Sequence, residues 1–349
     1  MRKDFYKNKR ILVTGSTGFK GSILCQVLDR MGAKIQGYSL APVSEPSLYT
    51  ILNQEKKIRT YIGDIRDYNS LKAVFDEFQP EIVFHLAAQP LVRESYQNPV
   101  YTYETNVLGT VNICECIRYG SSVKSFVNVT TDKVYQNEGQ GVPFTEDMPL
   151  NGHDPYSNSK SCSELVTYSY TQSFLHEQGI AVSTARAGNV IGGGDFAKDR
   201  IIPDCVRAAV QGKDIIVRNP KSIRPYQHVL EPLYVYLMIA MEQYSNPELQ
   251  GNYNVGPDDQ SCITTGEIVD LFCRYWGNDL RWVDRWDGGP YEAEYLKLDC
   301  TKLKSTFQWK PKWTIEETVE KTVEWYQAYY NREDMIRITN NQIGEMFDV

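Results

Sequence analysis

Tyr156 and Lys160 stand four residues apart at the opening of a helical pattern, so both project from one helix face. A lysine ammonium beside a phenol favours phenolate and brings the tyrosine down from ~10 towards the range of a working general base. Such a pair suits removal of a proton from a hydroxyl group. The chain holds 24 tyrosines, so the spacing alone is matched by chance and reads as surface decoration. What gives it weight is the element that would deliver a redox partner.

That element lies near the start of the chain. The run Thr14-Gly15-Ser16-Thr17-Gly18-Phe19-Lys20-Gly21 follows a short apolar stretch, Arg10–Val13, and opens a helical pattern. Gly15 permits a tight turn, Gly18 lets backbone approach a pyrophosphate, and Gly21 lets helix and strand pack closely, while the helix N-terminus offers N–H groups to phosphate. A plain glycine-rich turn is the bland alternative, and the position after the first strand of an alternating chain argues against it. With a dinucleotide in place, Tyr156 takes a hydroxyl proton while hydride leaves for the nicotinamide. The second expected strand ends Gly37-Tyr38-Ser39-Leu40, without the acidic residue that usually holds the adenosine ribose. Ser39 can hydrogen-bond in its stead, and no arginine follows to take a ribose phosphate, so NAD is favoured over NADP. Asp64 is placed to accept from the adenine amino group, with a solvated turn an equal reading.

These residues need a scaffold, and the first half supplies one by alternating β-branched runs with helical patterns. Strands are expected at Arg10–Val13, Lys34–Tyr38, Thr60–Ile62, Ile82–Leu86, Ser125–Val129 and Ile180–Ala185, with helices over Leu71–Phe78, Asn106–Tyr119 and Ser157–Glu177. The fold class is α/β, a Rossmann-type doubly wound parallel sheet with a smaller, discontinuous C-terminal substrate lobe. Residues 1–188 and about 226–257 form the dinucleotide domain; about 189–225 and 258–349 form the lobe. Helix Pro232–Tyr244 and strand Tyr253–Val255 return to the first sheet, and a further helix is expected near Pro203–Gln211.

Composition excludes other classes. A formal charge of −7 over 349 residues, with no basic block, argues against nucleic-acid binding. No apolar run approaches the ~20 residues that span a bilayer, and the charged N-terminus lacks a signal-peptide core, so a cytoplasmic protein without membrane partners is expected. Eight scattered cysteines and four scattered histidines support neither disulfides nor a metal site.

Gly15-x-x-Gly18-x-x-Gly21, His85-Leu86-Ala87-Ala88, Asn106, Thr131 and Tyr156-x-x-x-Lys160 occur in the order seen in extended short-chain dehydrogenases/reductases, and the chain resembles that family over almost its whole length. The resemblance implies a Thr131–Tyr156–Lys160 triad, with Thr131 orienting the reacting sugar hydroxyl. It implies a cofactor set of Gly15, Thr17, Gly18, Phe19, Ser39, Asp64, Ile65, Leu86, Ala87 and Ala88 together with Tyr156 and Lys160, a structural hydrogen-bonding role for Asn106, and a packed core histidine at His85. In the second lobe it covers Asn189, Arg224-Pro225-Tyr226-Gln227-His228-Val229 and Trp309-Lys310-Pro311 ahead of a helix with Trp325-Tyr326. There Arg224 binds the sugar-nucleotide phosphates and Asn189 adds an amide. The family's second phosphate-binding arginine is not evident around Tyr291-Glu292-Ala293, which leaves Lys221, Arg218 and Arg207 as candidates to replace it.

Within the family, Thr131-Asp132-Lys133 resembles the sugar-nucleotide 4,6-dehydratases, which carry Asp beside the triad Thr to protonate the departing hydroxyl at carbon 6. Most of these place Glu next as the base at carbon 5. Lys133 there, with Gly37-Tyr38-Ser39-Leu40-Ala41-Pro42 and the segment Arg224–Pro232, is similar to the branch that acts on CDP-glucose in deoxysugar supply for surface polysaccharide. An ammonium cannot accept a proton, so Lys133 either acts as a neutral base or stays charged to steady the enolate. The resemblance further implies a homodimer, or a higher homo-oligomer, formed through Asn106–Tyr119 and Ser157–Glu177. The alternatives are a dTDP-, GDP- or UDP-sugar dehydratase, a sugar-nucleotide epimerase, and a catalytically idle NAD-binding protein.

Overall fold

A computed structural model of the chain describes all residues except 1, 3, 140, 278, 287 and 290–294. Seven strands form one parallel sheet: β1 (Arg10–Thr14), β2 (Lys34–Ser39), β3 (Arg59–Ile62), β4 (Ile82–His85), β5 (Ser125–Val129), β6 (Ala181–Ala187) and β7 (Gly251–Val255). Their order across the sheet is β7-β6-β5-β4-β1-β2-β3. The chain winds outward from β1 in one direction and then from β4 in the other, so the crevice between them is where an open sheet of this kind accepts ligands.

The strands read as apolar runs because both faces are covered. Ile11 and Val13 of β1, Ile82 and Phe84 of β4 and Val127 of β5 pack with α1 (Phe19–Arg30) on one face. Leu12, Val83 and Phe126, one residue out of phase, pack with α2 (Tyr68–Phe78) and α3 (Gly109–Tyr119) on the other. The period of two thus divides one sheet between two cores. The helix α4 (Pro155–Tyr170) begins where Asp154 accepts from the Ser157 N–H and Pro155 occupies the first turn, which puts Tyr156 at the helix mouth and Lys160 one turn in.

The helical patterns end differently from their apolar periodicity. The residues expected to open one long helix from Asn106 instead form a π turn, Glu104–Leu108, ahead of α3, and Thr171–Leu175 forms another after α4. In the first, Asn106 accepts from the Gln89 N–H at 2.8 Å and donates to Gln89 O at 3.1 Å and to Ser159 Oγ at 2.8 Å. These buried bonds tie the loop after β4 to the helix of Lys160, and a one-residue widening of the helix lets the side chain reach them.

Beyond β6 come α5 (Ile201–Val210), α6 (Leu230–Ser245), α7 (Thr265–Trp276), α8 (Ile315–Tyr330) and α9 (Met335–Phe347), with three pairs of short strands. Thr264 with Glu267, and Thr314 with Glu317, close capping boxes at the starts of α7 and α8. Among the described residues no helix is long and apolar enough to cross a membrane, and no cluster of His, Cys, Asp and Glu could hold a metal ion.

Glu231 joins α6 to the segment before α8: one carboxylate oxygen accepts the N–H groups of Lys312 and Trp313, each at 2.8 Å, and the other has no partner among the described residues. Burial raises its pKa to about 7, against the pull of those two N–H groups. The fold therefore holds this proton more tightly than the unfolded chain does. The resulting stability is fully present below the ordinary carboxylate range and is lost as pH rises through about 7. Glu231→Gln keeps an acceptor for both N–H groups, so it should remove this term. Urea melts at acid and at mildly alkaline pH should show the variant losing about 2–3 kcal/mol less than wild type between the two.

Candidate active site

The turn after β1 is built for close approach. Gly15 has φ +74°, and a Cβ there would stand 2.8 Å from Ala87 N and 2.9 Å from the Leu86 carbonyl carbon; a Cβ on Gly21 would meet Gly15 O at 2.1 Å. Neither position admits a side chain without moving backbone. Gly18 caps α1, whose first turn has no capping side chain and no acidic residue, so its N–H groups face outward for an anion. At the end of β2, Ser39 Oγ lies 2.8 Å from Thr17 Oγ1, which also donates to Leu40 O at 2.8 Å. The hydroxyl expected to replace a carboxylate at the ribose is therefore in place beside the glycine turn.

Asp64 follows β3, but Arg66 grips its carboxylate at 3.1 and 2.8 Å and holds it below the usual carboxylate range. Ile65 is buried and packs where a Cβ on Gly109 would meet it at 2.7 Å. Leu86, Ala87 and Ala88 follow β4, and Ala87 N–H donates to Thr14 Oγ1, which contacts His85 Nδ1 at 2.7 Å. Burial drives the His85 pKa down to about 3, which keeps the ring neutral and fits a core residue. Phe19 lies 3.3 Å from where a Cβ on Gly192 would stand. The glycine cradle, the open helix end and the hydroxyl pair fit a dinucleotide.

Next to this cradle, β5 runs out at Val129 and the chain passes through Thr131 into a 3₁₀ turn, Asp132–Val134. Thr131 Oγ1 donates to Asp132 Oδ1 at 3.1 Å, and Lys133 Nζ donates to the same oxygen at 2.8 Å and to Asn189 Oδ1 at 3.2 Å. Asp132 is 1% exposed, and its Oδ2 has no partner among the described residues. Tyr156 faces Thr131 from α4; burial pushes the phenol up to about 12, with Thr131 and Arg200 pulling it down and Asp132 pushing it up. Lys160 is buried and donates to Val129 O at 3.1 Å. Burial brings its ammonium down to about 8 despite the opposing Glu164. Glu164 itself accepts from Thr130 Oγ1 at 2.5 Å and Arg186 at 2.9 Å, anchoring α4 to the ends of β5 and β6.

Two further cations reach this pocket, and no motif announced them. Lys20, second residue of α1, has a pKa lowered to about 7, first by burial and then by Arg200 and Lys160, against the pull of Asp132. Arg200, the residue before α5, pairs with Asp195 at 2.8 Å and acts electrostatically on Tyr156. The only trace of them is a charged residue between Phe19 and Gly21 and one directly ahead of an amphipathic helix.

The candidates for phosphate binding are spread out. Arg224 is buried on the short strand Ile223–Pro225 and donates to Ile223 O at 2.9 Å. Arg207 is committed to Asp204 and to the carbonyls of Phe196 and Ala197, and Arg218 pairs with Asp199 at 2.8 Å and Asp204 at 3.7 Å. Lys221 is exposed in the turn before Arg224. The segment Tyr291-Glu292-Ala293 lies outside the described residues.

Residues 12–322 match the family model described as GDP-mannose 4,6 dehydratase. The chain is 44% identical over 349 residues to the CDP-glucose 4,6-dehydratase of Salmonella typhimurium, a match that takes in 98% of this chain and 97% of that one. It is 26% identical to the dTDP-glucose 4,6-dehydratase of Haemophilus influenzae, over 90% of this chain and 97% of the other. Among solved structures, the Thermus thermophilus UDP-glucose 4-epimerase in complex with NAD aligns with a TM-score of 0.79 at 26% identity, covering 91% of this chain and 99% of that one. The Bacillus anthracis dTDP-glucose 4,6-dehydratase in complex with NAD aligns with a TM-score of 0.77 at 23% identity, over 94% of this chain and 99% of that one, a likeness of fold alone. With a matching family model along most of its length and a relative this similar from end to end, the chain belongs to the GDP-mannose 4,6 dehydratase family, within the extended short-chain dehydrogenases/reductases.

Proposed function

We propose that this chain is a soluble, cytoplasmic CDP-glucose 4,6-dehydratase with NAD as its cofactor, converting CDP-glucose to CDP-4-keto-6-deoxyglucose and water. The observation that carries the reading is the Asp132–Lys133 turn, hydrogen-bonded to Thr131 on one side and to Asn189 on the other. The Salmonella relative supports the nucleotide. Residues 1–188 and 226–257 carry the cofactor in this reading, and 189–225 with 258–349 carry the sugar nucleotide, Arg224 and Asn189 meeting its diphosphate.

When bound, NAD accepts hydride from carbon 4 and returns it at carbon 6. Thr131, which faces Tyr156, orients the 4-hydroxyl, and Tyr156 takes its proton. Lys160 beside it favours the ionised phenol. The 4-ketone then acidifies the proton on carbon 5, Asp132 offers a proton to the departing hydroxyl of carbon 6, and Lys133 acts in this elimination. Purified protein incubated with CDP-, dTDP-, UDP- and GDP-glucose tests the reading: conversion of CDP-glucose with loss of water supports it. Activity on dTDP-glucose alone refutes the nucleotide, and inversion without water loss refutes dehydration.

We also propose a homodimer. On the two helical stretches around α3 and α4, Val100, Tyr103, Leu108, Leu165 and Tyr168 are exposed, Leu165 by 54% and Tyr168 by 63%. Such a row of large apolar side chains suits closed pairing with a second copy. Light scattering should give twice the chain mass for wild type, and Leu165→Glu with Tyr168→Glu should give a monomer. A monomeric wild type would overturn the proposal.

A further inference from the structure

The turn after β5 sets a donor and an acceptor side by side where elimination needs an acid and a base. Loss of water from a 4-keto sugar requires one group to take the proton on carbon 5 and another to give a proton to the oxygen leaving carbon 6. As an ion pair, Lys133 and Asp132 can do neither: an ammonium cannot accept a proton and a carboxylate cannot donate one. Their hydrogen bond is direct, 2.8 Å from Nζ to Oδ1, and the carboxylate is 1% exposed. Buried carboxylate oxygens are normally occupied, yet Oδ2 has no partner among the described residues.

Resting on the dehydratase reading, we infer that the proton in the Lys133–Asp132 hydrogen bond shifts from nitrogen to carboxylate before elimination, so that one shift arms both residues. The ion pair becomes an amine and a carboxylic acid, with no change in net charge. The Lys133 amine takes the proton from carbon 5. The electron pair of that C–H bond forms the double bond between carbons 5 and 6, and the C–O bond at carbon 6 breaks with its pair on oxygen. After rotation of the carboxyl, Asp132 gives that oxygen the proton and water leaves. Ammonium and carboxylate are thereby restored. When carbon 6 has been reduced, Lys133 returns a proton to carbon 5, and the proton that Tyr156 took from the 4-hydroxyl makes good the loss through solvent.

The surroundings permit the shift. Substrate filling the pocket removes water from both charges, which penalises the ion pair more than the neutral pair. The groups facing it are Lys20 on α1, Tyr156 and Lys160 on α4, and Arg200 ahead of α5, with Thr131 and Asn189 as neutral hydrogen-bond partners.

The test is a pH series of single-turnover water loss on the holoenzyme with CDP-glucose for wild type, Asp132→Asn, Lys133→Met and the double variant. Wild type should be level across the neutral range, because the armed pair carries the same charge as the resting one. Asp132→Asn leaves Lys133 nowhere to send its proton, so both functions go; its rate should fall about 100-fold or more and climb as pH rises. Lys133→Met leaves a carboxylate without a proton, so its rate should fall similarly and climb as pH falls. The double variant should be no more than about threefold slower than either single one at neutral pH, since each removes the same armed state. Losses that multiply in the double variant, or single variants with the wild-type pH response, would overturn the shared proton and leave an independent acid and base. Should one variant not fold, the opposite pH slope of the other carries the test. Wild type that dehydrates a different nucleotide sugar overturns only the substrate reading, and the series then runs on that sugar; wild type that dehydrates none overturns both.

Discussion

Tyr156→Phe is expected to cut turnover by about 10³-fold or more, while the variant melts with wild type and binds NAD as well. The substitution removes one oxygen at nearly constant volume from a partly buried ring at the mouth of α4. Thr131 remains to orient the sugar hydroxyl, but that hydroxyl loses its base. A second readout separates this from a packing defect. In the chain without cofactor, burial pushes the phenol up to about 12, so Tyr156 carries its proton at neutral pH. A cationic nicotinamide added to Lys160 must bring it down, so NAD binding to wild type should release a proton to the buffer and binding to the variant should not. Turnover within tenfold of wild type would mean that another group is the base.

The same pocket shows which parts of this molecule a reader of the sequence can reach. The glycine turn, the Tyr156-Lys160 spacing and the strands were legible because each is local: Gly15 declares a backbone need, and β1, β4 and β5 declare their burial by composition. Even the two cores on either face follow from alternation within a strand, as Ile11 and Leu12 show. Contacts made by the winding of the sheet were not legible. Lys20 sits on α1 and Arg200 ahead of α5, 180 residues later, and they face Asp132 and Tyr156 only once β1 and β5 lie on either side of β4. Arg207 and Arg218 illustrate the converse. As residue types they suit a diphosphate, but Asp199 and Asp204, unremarked in the sequence, already face them. The π turns were hidden for a third reason: apolar spacing does not register one extra residue in a helix, and the demand that widens the turn at Asn106 comes from Gln89 and Ser159.

Lys133→Met should divide the reaction in two. Methionine keeps most of the length and the apolar stem of lysine but cannot donate to Asp132 or Asn189. The residues of the first step, Thr131, Tyr156 and Lys160, keep their own bonds, including Lys160 to Val129 O at 3.1 Å, so oxidation at carbon 4 should survive. Water loss should slow by about 10²–10³-fold, the share a positioned acid–base group supplies. Mixing enzyme with one equivalent of substrate should then give a lasting absorbance of reduced nicotinamide, where wild type shows only a transient. Sugar recovered from deuterated water should carry little deuterium at carbon 5, because the group that exchanges that proton has gone. The fold should pay modestly: Asp132 stays buried with Thr131 as its remaining partner, but Lys133 is 25% exposed, so about 1 kcal/mol is expected in a urea melt. A loss of activity that merely tracked this destabilisation would show no stalled intermediate. Wild-type turnover with no accumulation would reduce Lys133 to a solvated turn residue and leave Asp132 to carry the distinction between this site and that of an epimerase of the same fold, because Thr131, Tyr156 and Lys160 serve both reactions equally.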